Sequence, residues 1–565
     1  MTRSSWLDLL STVWDLMRFP RPSRLSRTSP VVLLAVLAGL LGGLVAPATA
    51  GAPARSGDQL TVEQVLQIVL PQLGFSRGHS TQAAAAALKN AQQVLGDKKP
   101  HAAQQPHHDE NDATMALTSL FQHREDLSTS DRSVAARMLA RPDDSSAADP
   151  VKWNSSERSH RKSICNDAQK VCVHYTTAGD DKSTDAWAKK TLGVVAHVRK
   201  TYKSAGYRSP VGDGTKGGKK NYTDIYLADV APYGYYGFCA PESGRYVATA
   251  FCVLDNDYAA SQYGKRHTPT ENLEVTAAHE FFHAVQFAYD VNEDLWLMEG
   301  TAVWAEDQLY TKVNDNRQYL KYGQLRRPRV PLDDTNGAYG FGVYGNWIFF
   351  RYLSEHMPKK KGPLPSIILQ IWQKAAVSAN RKHNKYSVQA IASALVARGR
   401  NIKGTYAKFT VANLHPRISY REGRSTKYPN ARVQGVKTLK PKKKKASGSF
   451  KVGHLSSATQ RFKPHNLGKK WQLRLTTHMA KKKFGVAIVT VYRKHKTITR
   501  TLKLNRAGNG HTRVDFDNAH IIKVEITLVN TAHGYKCHKG TAYACAGQPT
   551  TGSLKDSWTA KLVRR

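Results

Sequence analysis

The spacing of apolar residues changes twice along this chain. Two early stretches read as helices, "QAAAAALKNAQQVL" (Gln82 to Leu95) and "MALTSLFQHRE" (Met115 to Glu125), separated by the polar, turn-rich "GDKKPHAAQQPHHDENDA". From Val171 the texture is different. "VCVHYTT" alternates as a strand does. The next segment carries Trp187, Leu192, Val195, Val198 and Tyr202 at helical spacing. Two strand-like runs follow, Thr223 to Val230 and Arg245 to Asp255, and then helices over 271–290, about 297–311, 342–356, 364–376 and 387–398. Strands first and helices afterwards is an α+β pattern. Past about residue 415 the helical signal stops. "ATQRFKP", "WQLRLTTH", "GVAIVTVYR", "TITRTLKL", "TRVDFDN", "IIKVEITLVN" and "SWTAKLV" are short strand candidates separated by turn residues. Their spacing suggests a β-sandwich.

These shifts divide the chain into five parts. Residues 1–50 have a signal-peptide layout: Arg18, Arg21, Arg24 and Arg27, an apolar run from Val31 to Val45, and Ala48-Thr49-Ala50 as the cleavage pattern. Met17 would begin a leader of more usual length. The run is short for a membrane span, which needs about 20 apolar residues, so no stable span is expected after cleavage. The rest is expected to be secreted, extracellular or associated with the cell envelope. Residues 51–155 read as a helical and polar pro-segment that masks an active site, or as a spacer; its His101, His107 and His108 read as solvated. Residues 156–415 form the α+β body, 416–447 a basic linker, and 448–565 the β-rich accessory domain.

The cysteines agree with an oxidising compartment. Six allow 15 connectivities, and nearness along the chain favours Cys165 with Cys172, Cys239 with Cys252, and Cys537 with Cys545. No C-x-x-C spacing occurs, so they read as staples rather than metal ligands. Charge adds a second constraint. With 84 Lys+Arg against 43 Asp+Glu the formal net charge is +41, which attracts polyanions such as anionic cell-wall polymers. Lys442–Lys445 is its densest run. No helix-turn-helix, zinc-finger or RNP pattern occurs, so no specific nucleic-acid partner is expected.

The candidate chemistry sits in "VTAAHEFFHAVQFAYD", Val275 to Asp290. Positions i and i+4 share one helix face, so His279 and His283 can present nitrogens to one metal ion. Glu280 lies beside them, where a carboxylate can take a proton from activated water. A catalytic zinc needs a third protein ligand and one open position. "DLWLMEGTAVWAED" supplies Glu299, after 15 intervening residues. A turn at "YDVNED" would bring a second helix antiparallel onto the first, with small Gly300 and Ala302 allowing close approach. Glu306 and Asp307, two turns beyond Glu299, are candidates to hydrogen-bond a ligand histidine. H-E-x-x-H alone is a weak signal. Its plain alternative is a core helix, packed through Phe282, Val285, Phe287 and Tyr289, whose histidines are merely hydrogen-bonded.

"HEFFH…DLWLMEGTAVWAED" resembles the zinc signature of the gluzincin metallopeptidases. "LWLMEGTA" is similar to the W-L-N-E-G-x-A segment of the aminopeptidase branch, but the spacing is shorter and the G-A-M-E-N motif of those exopeptidases is absent. "HYTTAGDD", "GYRSP" and "YGFCAPE" before the helix, and the Y-G-x-x-x-F segment after it, resemble a set of secreted bacterial metalloproteases. The resemblance covers about Lys170 to Ala375. It implies a zincin-like domain binding zinc through His279, His283 and Glu299, with Glu280 as general base. Zinc-activated water would then hydrolyse a peptide or protein substrate, most simply as an endopeptidase. Tyr344 matches the position of an oxyanion donor, with Tyr339 as its competitor. The other reading is a catalytically silent zincin fold that binds anionic envelope polymers; an intact Glu280 argues against it.

Overall fold

The computed structural model describes residues 77–96, 113–148, 152–335, 341–377 and 385–565. The expected signal peptide, His101, His107, His108 and Tyr339 lie outside the described residues. All described residues belong to one compact unit, Ser76–Arg565.

The α+β half is organised on a mixed sheet in the order β1-β2-β3-β5-β4. Its strands are β1 (Arg161–Asn166), β2 (Val171–Thr176), β3 (Thr223–Ala228), β4 (Gly237–Gly244) and β5 (Ala248–Asp255). β2, β3 and β5 run parallel, whereas β1 and β4 pair antiparallel at the two edges. The three parallel strands are buried along their whole length, as strands covered on both faces must be. β1 and β4 escaped the sequence pattern. β1 is half exposed, and β4 carries Pro241, which an edge strand tolerates because one side of its backbone needs no ladder partner.

Among the described residues, three helices of ten residues or more precede the sheet: α1 (Arg77–Gly96), α2 (Ala113–His123) and α3 (Thr129–Met138). Ala84, Leu88, Ala116, Leu117, Leu120 and Phe121 of this stretch join the same apolar core as the sheet. α4 (Asp185–Ser204) crosses between β2 and β3. α5 (Pro269–Phe287) then packs on α4, β4 and β5. Its start is specified locally. Thr268 Oγ1 accepts from the Glu271 amide at 3.2 Å, Glu271 accepts from the Thr268 amide at 2.8 Å, and Pro269 occupies the first turn. α6 (Leu295–Leu309) follows, then α7 (Trp347–His356), α8 (Ser366–Ala375), α9 (Ser387–Val396) and α10 (Ile402–Ala412).

The C-terminal region is β-rich. One sheet joins β6 (Gly435–Leu439), β8 (Ser456–Pro464), β10 (Gly485–Arg493), β11 (Thr497–Thr501) and β13 (Ile521–Asn530). A second joins β7 (Lys445–Val452), β9 (Trp471–His478), β12 (Asn509–Asp515) and β14 (Leu554–Arg564). Leu473, Leu475 and Leu562 from one sheet share an apolar core with Val489, Val524 and Ile526 from the other. β6 and β7 lie inside or overlap the stretch read as a basic linker. The region also touches the α+β half: the Cys545 amide donates to Asp294 at 2.8 Å, at the N-terminus of α6.

All three cysteine pairs are disulfides: Cys165–Cys172, Cys239–Cys252 and Cys537–Cys545. The first two bridge directly opposed residues on adjacent antiparallel strands. No helix among the described residues is long and apolar enough to cross a membrane.

Candidate metal centre

α5 and α6 pack against each other with side-chain contacts in reverse order. Gln286 meets Met298 and Thr301, His283 meets Glu299, and His279 meets Glu306. The helices therefore form the antiparallel pair that the sequence suggested. The place of Gly300 is different from the expectation. A Cβ there would meet Phe350 Cε2 at 2.8 Å, so this glycine makes room for α7 rather than for the helix bearing the histidines.

Ligand-type atoms of His279, His283 and Glu299 lie within 4.8 Å of one another, in a group that could hold a metal ion. His279 Nε2 is 3.0 Å from Glu299 Oε2, and His283 Nε2 is 3.4 Å from Glu299 Oε1. His283 Nε2 and Glu299 Oε1 are buried without a hydrogen-bond partner. Orphaned buried polar atoms are costly, and a cation between them would satisfy both.

The far side of each imidazole is also tied. Gln286 Nε2 donates to Met298 O at 2.9 Å and to Thr301 Oγ1 at 3.1 Å. Its Oε1 therefore faces His283 Nδ1, 2.8 Å away. A proton on Nδ1 leaves Nε2 with a lone pair toward Glu299, the arrangement by which an outer partner fixes a ligand histidine. Glu306 Oε1 does the same for His279 Nδ1 at 2.5 Å. Asp307 does not touch a ligand histidine. One residue on, about 100° around the helix, it pairs with Arg351 and accepts from Asn316 Nδ2 at 2.9 Å.

Electrostatics follow from this packing. Burial opposes charge on His279, but hydrogen bonds to Glu299 and Glu306 outweigh it and raise its pKa well above the ordinary value. His283 moves up likewise, burial being outweighed by Glu299. Burial would raise Glu299, yet His283 and His279 hold it down at about 2. Glu306 is pushed up to about 7 by burial, only partly offset by His279. The pocket is thus built to hold positive charge against Glu299, on the histidines or on a cation between them.

Glu280 is buried, and its Oε2 accepts from Thr114 Oγ1 at 3.1 Å. The same hydroxyl accepts from the Cys239 amide of β4 at 3.0 Å. Tyr344 stacks on His279, with ring centroids 6.2 Å apart, and its hydroxyl lies 3.9 Å from Met115 Sδ. Gln286 and Thr114 had not been anticipated. Gln286 had a signal, three residues after His283 on the same face. Thr114 had none, being 166 positions from its partner.

A second group with metal-ligand composition is Cys172, His174 and Asp224. Cys172 is in a disulfide, so it has no thiolate to offer while that bond is intact. Asp224 already accepts from Arg141 at 2.6 Å and pairs with His174 at 2.8 Å. The histidine–glutamate group is the better candidate centre.

No family model and no curated protein matches the chain. Among solved structures, the pre-peptidase C-terminal domain of a collagenase from Bacillus anthracis is similar at 7% identity, covering 24% of this chain and 100% of that one, with a TM-score of 0.14. A periplasmic inhibitor of g-type lysozyme from Salmonella Typhimurium is similar at 13% identity, covering 23% of this chain and 100% of that one, also with a TM-score of 0.14. At these scores neither likeness carries an argument about fold or function.

Proposed function

We propose that this protein is a secreted zinc metallopeptidase of the gluzincin type, hydrolysing peptide bonds in protein substrates. The observation that supports it most is the donor set of His279, His283 and Glu299, with the two imidazoles oriented from behind by Glu306 and Gln286. Two imidazoles and one carboxylate suit zinc in a site that keeps a coordination position open. Bound there, zinc would supply Lewis acidity toward the scissile carbonyl and acidify water.

The chain's own residues do the rest. Glu280, next to His279 on α5, accepts the proton of the attacking water on its carboxylate. It then returns that proton to the leaving amine. Tyr344, stacked on His279, is the candidate donor to the developing oxyanion. Signal peptide, disulfides and basic surface suit a protein working outside the cytoplasm. The exposed Lys442–Lys445 run would hold it on anionic envelope polymers.

The test is zinc content together with casein hydrolysis, for wild type and for Glu280→Gln. The variant should keep its zinc and lose about 10²–10⁴-fold in rate. Wild type without zinc would refute the metal site, and equal hydrolysis by the variant would refute Glu280 as the base.

A further inference from the structure

The helices before the sheet do more than pack. Thr114, near the start of α2, donates to Glu280 Oε2 at 3.1 Å and accepts the Cys239 amide of edge strand β4 at 3.0 Å. A general base must be free to reach the water it deprotonates, and here one of its oxygens is already engaged. An edge strand is where an extended peptide can add by main-chain pairing, and α2 packs against β4. Met115, the next residue, reaches the Tyr344 hydroxyl. One turn of one helix thus meets the candidate base, the candidate oxyanion donor and the sheet edge.

The same segment is fastened at several other points. Gln122 Nε2 donates to Val291 O at 2.8 Å, and Arg124 Nη2 donates to Gly244 O at 2.7 Å. Tyr235 of the body donates its hydroxyl to Val94 O at the end of α1. Further along, Arg141 sits buried among three carboxylates of the body. It reaches Asp213 at 2.5 Å, Asp224 at 2.6 Å and Glu242 at 2.8 Å. The body supplies the acids and the segment the cation, so the seat is complementary in charge.

We infer that residues 113–148 are an inhibitory segment in cis, with α2 covering the catalytic centre until the segment is displaced. This rests on the peptidase reading of the same site. Thr114 holds the base, α2 denies substrate the edge of β4, and Arg141 sets how firmly the cover stays down.

The test compares the full chain with Gln122→Ala/Arg124→Ala, which removes the two side-chain hydrogen bonds that run from the rim of the cover to Val291 O and Gly244 O and leaves the centre untouched. Zinc per chain, casein hydrolysis, and the rate at which dipicolinate strips zinc are measured for both. Two hydrogen bonds shift a closed-to-open equilibrium by about tenfold. The double variant should therefore keep its zinc while hydrolysis and stripping both rise about tenfold. Arg141→Gln should raise both further, and if it fails to fold the double variant still decides. Equal hydrolysis and equal stripping, with zinc retained, would overturn the cover and leave the peptidase standing. Zinc without hydrolysis in any form would refute the peptidase; stripping alone then decides whether α2 covers the metal. A chain that binds no zinc would end both readings.

Discussion

Gln286→Leu is the most informative perturbation of the centre, because it leaves all three candidate ligands in place. Gln286 is fully buried and makes three hydrogen bonds, to His283 Nδ1, Met298 O and Thr301 Oγ1. Leucine fills a similar volume but offers no acceptor to His283 Nδ1. The imidazole then loses both its fixed tautomer and the partner that raises its basicity, a loss that typically costs 10–100-fold in metal affinity. That corresponds to about 1.4–2.7 kcal/mol in zinc binding. Met298 O loses its side-chain donor too, so folding stability should drop separately by about 1–3 kcal/mol. Zinc affinity is measured by competition with a calibrated chelator, at a temperature where circular dichroism shows both proteins folded. Gln286→Glu is the control, since it keeps an acceptor for Nδ1, and its affinity should stay within the wild-type range. A folded leucine variant binding zinc as tightly as wild type would refute the outer-partner role and weaken the case for His283 as a ligand.

Three further outcomes are expected. Burial would raise the Glu525 carboxyl, but His415, Lys523, Arg461 and Tyr492 outweigh it and draw it from 4.5 to about 2. Because the folded pKa is depressed, its stabilisation is complete above the unfolded value and is lost as pH falls from 4.5 toward 2. It amounts to about 3 kcal/mol, of which roughly 2 is gone by pH 3. Urea midpoints at pH 6 and pH 3 should therefore fall less for Glu525→Gln than for wild type, and parallel losses would contradict this. Gly300→Ala should destabilise by about 1–3 kcal/mol, since its Cβ would stand 2.8 Å from Phe350 Cε2 in a closed core. That outweighs the roughly 1 kcal/mol helix preference for alanine, and urea unfolding reads the balance. Removing zinc with a chelator should lower Tm, because the donor set is assembled only in the folded chain. Excess zinc at about a thousand times Kd contributes roughly 4 kcal/mol.

Much of the architecture was legible from pattern alone. The runs 471–478, 485–493 and 521–530 are strands with the expected limits: burial along 471–478 alternates and leaves a period-two trace, whereas 485–493 and 521–530 are buried almost throughout and show as short apolar runs rich in valine and isoleucine. α5 was legible through its apolar spacing over 271–290, although the helix starts at Pro269, behind a Thr268–Glu271 capping box, and ends at Phe287. β1, β4, β6 and β7 were not. All four lie at a sheet edge, with polar, basic, glycine or proline residues breaking any apolar pattern, and they pair because a neighbour offers a free edge, not because of their own patterning. The lysine run read as linker shows this best: Lys445–Val452 is held by its register against β14, from Lys445 opposite Lys561 to Val452 opposite Leu554.

The sequence by itself determined which residues could gather round a metal. His279 and His283 share a face through helical geometry, and Glu299 follows at hairpin distance; all three donors do meet. Local spacing suffices for groups on one helix or on two joined by a short turn. Tertiary structure decided everything that depends on which distant surface arrives. It chose Glu306 over Asp307 as the partner of His279, since the rotation of α6 settles which neighbour faces α5. It turned Gly300 toward Phe350. It also placed Thr114 on Glu280 and Arg141 among three acids of the body. Pairings between residues so far apart leave no trace in local pattern, because packing selects them only once the whole chain has folded.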